Sequence, residues 1–139
     1  MKADIAAMTN KRLAKENSCP LAVKGKNLDE VAEMTSKLTA MGLKDLVLDA
    51  GSRDVRQSLQ DMVAVRRAAL KDLNRAVGFP TIAFPCEMAS NLDVETMLAA
   101  QFVAKYGSIV VLSDLQGESL FPLLLERLNI FTDPQRPMT

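Results

Sequence analysis

The chain has 139 residues, of which 48% are hydrophobic and 24% are charged, a balance typical of one soluble globular domain. Its 17 basic and 17 acidic residues cancel to a net charge of zero, which argues against nucleic acid or an acidic membrane as a partner. It has no histidine and only two cysteines. Imidazole catalysis, imidazole metal ligation and a zinc or iron–sulfur site within this chain are therefore excluded.

Apolar runs are too short for a membrane span. The longest are FPLLL (residues 121–125) and SIVVL (residues 108–112), whereas a transmembrane helix needs about 20 apolar residues. The start of the sequence, MKADIAAM, has Asp4 where a signal peptide would need an apolar core. We therefore expect a cytoplasmic location.

Four short apolar runs predict strands of a parallel sheet, because they are continuously apolar rather than alternating. In chain order they are residues 20–23, 45–49, 80–84 and 108–112. Segments with a helical apolar stripe precede, separate and follow them, at residues 3–17, 27–41, 53–77, 91–106 and 116–128. The predicted fold is α/β with the order α-(βα)×4 and right-handed crossovers between parallel strands.

Helix boundaries are marked by glycine and by capping residues. Gly42, Gly78 and Gly107 each follow a helical segment, where a left-handed residue commonly ends a helix. Asn27 with Glu30 three residues later predicts a capping box, and Ser90 with Asp93 gives a weaker version of the same pattern.

An internal similarity links the two halves of the chain. NLDEVAEM at Asn27 is matched by NLDVETML at Asn91. Each copy continues to a glycine that lies seven residues before an aspartate: Gly42 and Asp49, then Gly107 and Asp114. Helix-start chemistry alone can produce this match, but a repeated α/β architecture such as a barrel explains all of it.

Polar residues follow every predicted strand. In parallel α/β folds the functional face lies at the carboxyl ends of the strands, so these loops predict a polar rim. The candidate site residues are Asp49, Ser52, Arg53, Glu87, Ser113 and Asp114. A structural interpretation stays open, since Ser52 and Asp114 stand where helix N-caps belong and Asp49 can pair with Arg53.

The two cysteines belong to opposite ends of the predicted sheet. Cys19 precedes a strand and Cys86 follows one, which argues against a disulfide because the two Cα atoms must lie within about 7 Å. Without a histidine to activate it, Cys86 is interpreted as a small buried thiol. Nucleotide and hydrolase signatures such as GxGxxG, GxxxxGK[ST] and GxSxG are also missing from the sequence.

Three long segments resemble one protein family. CPLAVKGKNLDEVAEMTSKLTAMGLKDLVLDAGSR, LNRAVGFPTIAFPCE and AAQFVAKYGSIVVLSDLQGESLFPLLLERLNIFTDPQRPM are similar to the large (gamma) subunit of corrinoid iron–sulfur proteins. That family serves the carbon monoxide dehydrogenase/acetyl-CoA synthase system.

The resemblance implies a fold and a role. The family's large subunit has an iron–sulfur domain, a central TIM barrel and a corrinoid domain, and it carries a methyl group on cobalt from methyltetrahydropterin to acetyl-CoA synthase. Residues 1–139 resemble the second half of the barrel only, a single partial domain of four βα units. We therefore expect no cofactor in this segment, with the corrinoid and the four-iron, four-sulfur cluster carried elsewhere in the full-length family protein.

The resemblance leaves three functions open. The first is a non-catalytic scaffold and docking segment whose partners are the small subunit, the methyltransferase and acetyl-CoA synthase. The second is a methyltransferase-like barrel that binds a methylated pterin through Asp49, Ser113 and Asp114. The third is a free-standing α/β module of unrelated function. Half a barrel would expose open strand edges, so a homodimer formed through those edges is also predicted.

Overall fold

Helices and parallel strands alternate along the chain, as the sequence predicts. The structure, a computed structural model, describes residues 12–14 and 16–128. The strands are β1 (Leu21–Lys24), β2 (Leu46–Asp49), β3 (Ile82–Ala83) and β4 (Ile109–Val110). The helices that follow them are α1 (Leu28–Ala40), α2 (Val55–Leu70), α3 (Leu92–Ala104) and α4 (Gly117–Leu128). Short 3₁₀ helices lie at Arg75–Val77 and Pro85–Glu87.

Only part of the first predicted helix can be compared with the structure. Residues 12–14 and 16–17 are helical, and the rest of the predicted segment 3–17 lies outside the described residues. Within the part of the chain that the structure describes, none of the helices is both long and apolar enough to cross a membrane.

The four strands stand side by side in the order of the sequence. β1 pairs in parallel with β2, Leu21 opposite Leu46, and β3 pairs in parallel with β4, Ile82 opposite Ile109. A parallel bridge between Leu48 and Thr81 joins the two pairs. Each strand therefore neighbours the strand that precedes it in the chain.

The core lies on one face of these strands. Leu46 and Val23 belong to one buried cluster, Leu48 packs with Val31 of α1 and Val65 of α2, and Ala83 packs with α2 and α3. Because side chains alternate along a strand, the intervening positions point to the other face. On that face Ala22, Lys24 and Ile109 are exposed, Val47 and Ile82 are half-buried, and Asp49 is buried. The helices thus cover one side of the sheet, and the other presents apolar residues such as Ile109, which is 41% exposed.

The repeated NLD segments have the same local structure. Asn27 and Asn91 both have extended backbone angles, and each side chain accepts a hydrogen bond at 2.9 Å from the third residue that follows, Glu30 N–H and Val94 N–H. The predicted cap at Asn27 is confirmed, but the Glu30 carboxylate accepts from Lys26 N–H at 2.8 Å and not from the Asn27 N–H that a capping box would use. In the second copy the cap is Asn91, so the predicted cap at Ser90 is wrong by one residue.

The long helix predicted over residues 53–77 is interrupted. α2 ends at Leu70, and Leu73 takes a left-handed φ of 51° before the short helix Arg75–Val77. Asn74 starts that helix by accepting a hydrogen bond from Ala76 N–H at 3.0 Å. Beyond α2 the predicted apolar stripe holds only in part: Leu73 is 78% exposed, whereas Val77 returns to the core at 1% exposure.

Of the three predicted left-handed glycines, Gly42 is confirmed with φ of 88° and the other two are wrong. Gly78 has φ of −82°. At the end of α3 the left-handed residue is Tyr106, with φ of 70°. Gly107 is needed there for space, because a Cβ atom would lie 2.7 Å from the Phe102 carbonyl oxygen.

Candidate functional site

A charged clamp lies at the carboxyl end of β2. This clamp consists of Asp49, Arg53 and Glu87. Arg53 donates two hydrogen bonds to Asp49, the last residue of that strand: Nη2 to Oδ2 at 2.9 Å and Nη1 to Oδ1 at 3.1 Å. Its Nε donates to Glu87 in the short helix after β3, and its guanidinium lies 4.4 Å from the centre of the Phe84 ring. Three of the six candidate residues are therefore joined in one cluster, which ties the loop after β2 to the loop after β3.

The clamp keeps Asp49 charged although it is buried. Burial acts to raise the pKa of Asp49, but hydrogen bonds from Arg53 and from Gly51 N–H (2.8 Å), together with the charges of Arg53 and Lys24, hold that pKa below its ordinary value. The hydrogen bonds to Asp49 and Glu87 likewise outweigh burial and raise the pKa of Arg53. Both groups of this ion pair are therefore ionised at neutral pH.

A glycine lets the loop after β2 pass close to the loop after β1. Gly51 has φ of 80°, and a Cβ atom on it would lie 2.3 Å from the Gly25 carbonyl oxygen. No other residue type fits both the conformation and the space. Gly51 N–H also donates to Asp49, so this glycine helps to form the clamp.

Ser52 hydrogen-bonds to a side chain of α2 and does not cap that helix. Its hydroxyl donates to Asp61, which also accepts from Gln57 Nε2 at 2.8 Å. The cap of α2 is Asp54, whose Oδ1 accepts from Gln57 N–H at 2.9 Å. The predicted capping role of Ser52 is wrong, and Asp61 joins the site without having been predicted.

Ser113 belongs to a second cluster. Its N–H and its hydroxyl both donate to the carboxylate of Glu95, each at 2.5 Å. Glu95 lies in the first turn of α3 and is only 4% exposed. No sequence pattern predicted this glutamate, which connects the start of α3 to the loop after β4.

Asp114 stays at the surface with local partners. Its Oδ1 accepts from Leu115 N–H at 2.8 Å and its Oδ2 from Gln116 Nε2 at 2.9 Å. These two hydrogen bonds, Gln116 first, lower the pKa of Asp114. α4 begins at Gly117, so the predicted N-cap role of Asp114 is wrong.

The rim has little enclosed space. The cavity beside Asp49, Ser52, Arg53 and Asp61 has a volume of about 20 Å³, which is room for roughly one water molecule. Ser113 and Asp114 do not line it. The charged groups at the carboxyl ends of β2 and β3 satisfy one another, and their arrangement joins loops.

The chain's residues do not fit an iron–sulfur cluster. Such clusters are held by four cysteine thiolates, and Cys19 and Cys86, both free, lie at opposite ends of the parallel strands. Among the described residues there is no group of three or more cysteine, aspartate or glutamate side chains that could hold a metal ion.

Comparison with known proteins gives a consistent family. Over residues 2–139 the chain matches the family described as CO dehydrogenase/acetyl-CoA synthase delta subunit. It is 46% identical over 136 residues to the corrinoid/iron-sulfur protein large subunit of Moorella thermoacetica, which covers 98% of this chain and 30% of that protein.

More distant relatives come from archaea. The chain is 27% identical over 138 residues to the gamma subunit of the acetyl-CoA decarbonylase/synthase complex of Archaeoglobus fulgidus, covering 91% of this chain and 29% of that protein. With the gamma 2 subunit of Methanosarcina thermophila it shares 31% identity over 139 residues, again covering 91% of this chain and 30% of that protein. The chain thus spans about 30% of the length of the relatives it matches, and the resemblance drawn from its sequence is confirmed.

Proposed function

We propose that this chain, which belongs to the CO dehydrogenase/acetyl-CoA synthase delta subunit family, is the barrel scaffold and docking segment of a methyl-carrier protein. The observation that carries this proposal is the rim beside β2, where Arg53 binds Asp49 and Glu87 and where the adjoining cavity has a volume of only about 20 Å³. Side chains arranged in this way connect loops and leave little room for a substrate.

The strand order supports half of a TIM barrel as the architecture. Parallel strands that follow one another in chain order, with helices on one face, are what a βα barrel requires. A doubly wound sheet would have helices on both faces, whereas Ala22 and Ile109 are exposed on the second face here. Residues 1–139 would then form one partial barrel domain of four βα units.

A half barrel needs a second half. Closure takes eight strands, and four are described in this chain. In a protein of the relatives' length, the other four would come from the same polypeptide. In this chain by itself, a homodimer that pairs the edges of β1 and β4 would cover the apolar face around Val47, Ile82 and Ile109.

The partners and cofactors follow from the family's role. In the full protein, a corrinoid carried elsewhere would take a methyl group from methyltetrahydropterin, delivered by the methyltransferase, and hand it to acetyl-CoA synthase. A separate domain would hold the four-iron, four-sulfur cluster. The barrel would fix the position of those domains and dock on the small subunit.

Self-association tests the half-barrel proposal. Light scattering over a dilution series should give a dimer at micromolar concentration, with slow hydrogen exchange at the amides of β1 and β4. A monomer whose edge amides exchange freely would contradict closure by a second copy. The dimer of the Ile109→Lys variant should dissociate at a higher protein concentration than the dimer of the unchanged chain, because the lysine places a charge on the apolar face that the dimer would bury.

A pterin site is the second candidate, favoured by the exposed, ionised Asp114 beside Ser113 at the end of β4. Calorimetric titration with 5-methyltetrahydrofolate decides between the two functions. The scaffold proposal expects no saturable heat. Saturable binding that is lost in Asp114→Ala and retained in Glu118→Ala, a surface carboxylate on the neighbouring helix, would support the enzyme instead.

A further inference from the structure

A large cleft opens at the end of the sheet opposite the rim. It is lined by the last turns of α2 and α3 and by the residues that precede β3 and β4, and its volume is about 830 Å³. Ligand pockets in proteins commonly measure about 300 to 1,000 Å³, so this cleft can accept a small organic molecule. The cavity at the rim, at about 20 Å³, cannot.

The cleft combines an apolar floor with positive charge. Val65 and Val77, both buried, form part of the floor. Arg66 of α2 and Arg127 of α4 line the cleft, and its described lining residues include no carboxylate. Neither arginine takes part in the ion pairs found in the described part of the chain. Two guanidinium groups that form no ion pair with the described carboxylates favour an anionic guest.

Tyr106 lines the cleft in a conformation that costs energy. Its φ of 70° is a left-handed value that glycine adopts freely and tyrosine does not. The buried Thr81 hydroxyl donates to its carbonyl oxygen at 2.7 Å and so helps to fix the conformation. Tyr106 is 48% exposed, with the Arg66 guanidinium 5.7 Å from the centre of its ring. Strained residues held in this way concentrate at binding sites.

We propose that this cleft binds a small organic anion with an apolar body and a phosphate or carboxylate head. The head would lie between Arg66 and Arg127 beside the Tyr106 ring, and the body would rest on the floor formed by Val65 and Val77. This site is independent of the scaffold role and lies on the other end of the strands from the rim, so either proposal can fail without the other.

Three probes separate the contribution of the anionic head to binding from that of the apolar body. The uniformly ¹⁵N-labelled chain is titrated with phenyl phosphate, with inorganic phosphate and with phenol, and the amide spectrum is followed. Phenyl phosphate should give saturable shifts at Gly78, Gly107 and Ser108, with a Kd about tenfold below that of phosphate, because burying part of the ring should add about 1.4 kcal/mol. Phenol should give no saturable shift.

Variants identify the residues responsible. Arg66→Gln and Arg127→Gln should each raise the Kd for phenyl phosphate about tenfold, the loss expected for a hydrogen bond to a charged group. Arg56→Gln, an exposed arginine on α2 outside the cleft, is the matched control and should leave the Kd unchanged. Tyr106→Asn keeps a residue type that tolerates the left-handed conformation while removing the ring, and it should also weaken binding.

Other outcomes overturn the proposal. Equal binding of phenol would mean that the arginines contribute nothing. Equal binding by both arginine variants and the control, or shifts confined to rim residues such as Gly51 and Ser113, would show that the cleft is not the site. The same spectra report whether each variant is folded, so a lost signal cannot be mistaken for lost binding.

Discussion

Glu95 occupies in α3 the position that Val31 occupies in α1. Each is the fourth residue after the asparagine that caps its helix, and both are buried. Val31 packs in an apolar cluster with Leu48, whereas Glu95 accepts two hydrogen bonds from Ser113. The two copies of the repeat thus use one position for different purposes.

Removing the Glu95 carboxylate should destabilise the protein. Glu95→Ala leaves the Ser113 N–H and hydroxyl without their partner, at a cost of about 2 kcal/mol in the free energy of unfolding. Asp93→Ala, an exposed carboxylate in the same turn, should cost only about 0.5 kcal/mol through the helix dipole. Urea unfolding measures both, and equal losses would contradict the buried role of Glu95.

Two glycines with similar backbone angles should respond differently to alanine. Gly42→Ala meets no atom within 4 Å, so it should cost only the left-handed conformation, about 1 kcal/mol. Gly51→Ala has the same conformational cost and also collides with the Gly25 carbonyl oxygen, which should add about 2 kcal/mol. Thermal unfolding of the two variants checks the difference. Equal melting temperatures would show that the loops after β1 and β2 are not in close contact.

Replacing Arg53 should loosen the clamp. Arg53→Met keeps much of the side-chain volume but leaves Asp49 charged and buried, so we expect a loss of about 2 kcal/mol after allowing for the partial exposure of Arg53. The matched control Arg56→Met, an exposed arginine in the first turn of α2, should change stability by less than about 0.5 kcal/mol. A loss of unfolding free energy no larger than that of the control would mean that the clamp does not stabilise the fold.

The clamp should also make stability depend on pH. The ordinary pKa of Asp49 is 3.8 and its pKa in the folded protein is lower, so its ionisation stabilises the fold above about pH 4 and that contribution is lost as the pH falls through the folded value. Asp49→Asn should therefore be clearly less stable than the unchanged protein at neutral pH, with the gap narrowing below about pH 4. Urea unfolding at several pH values tests this, and a constant gap would be inconsistent with the lowered pKa.

Periodicity predicted the fold class and the elements because four apolar runs and the stripes between them are local features of the sequence. It failed where tertiary contacts decide. Val94 falls on the apolar stripe that the sequence predicts over residues 91–106, yet it is 36% exposed and its neighbour Glu95 is buried instead. A glutamate enters the core there only because the loop after β4 supplies two donors, which no local pattern reveals.

The candidate site was predicted only in part for the same reason. Asp49 and Arg53 are four residues apart, so their pairing could be read from the chain. Glu87 joins them from another loop, and Asp61 reaches Ser52 from the second turn of α2. These partners depend on the strand order, which brings the loops after β2 and β3 together. Only Asp49 and Arg53 could therefore be paired in advance.

The strand order has a consequence for how the chain acquires its structure during synthesis. Each strand pairs with the one made just before it, so no strand must wait for a partner from a distant part of the chain. Such local pairing lowers the contact order and favours fast folding. During synthesis, β1, α1 and β2 leave the ribosome before β3, so these three elements can pack together before β3 is available. A nascent chain arrested at a length that brings Leu70 out of the ribosome while β3 is still inside it should already protect the β1–β2 amides from exchange.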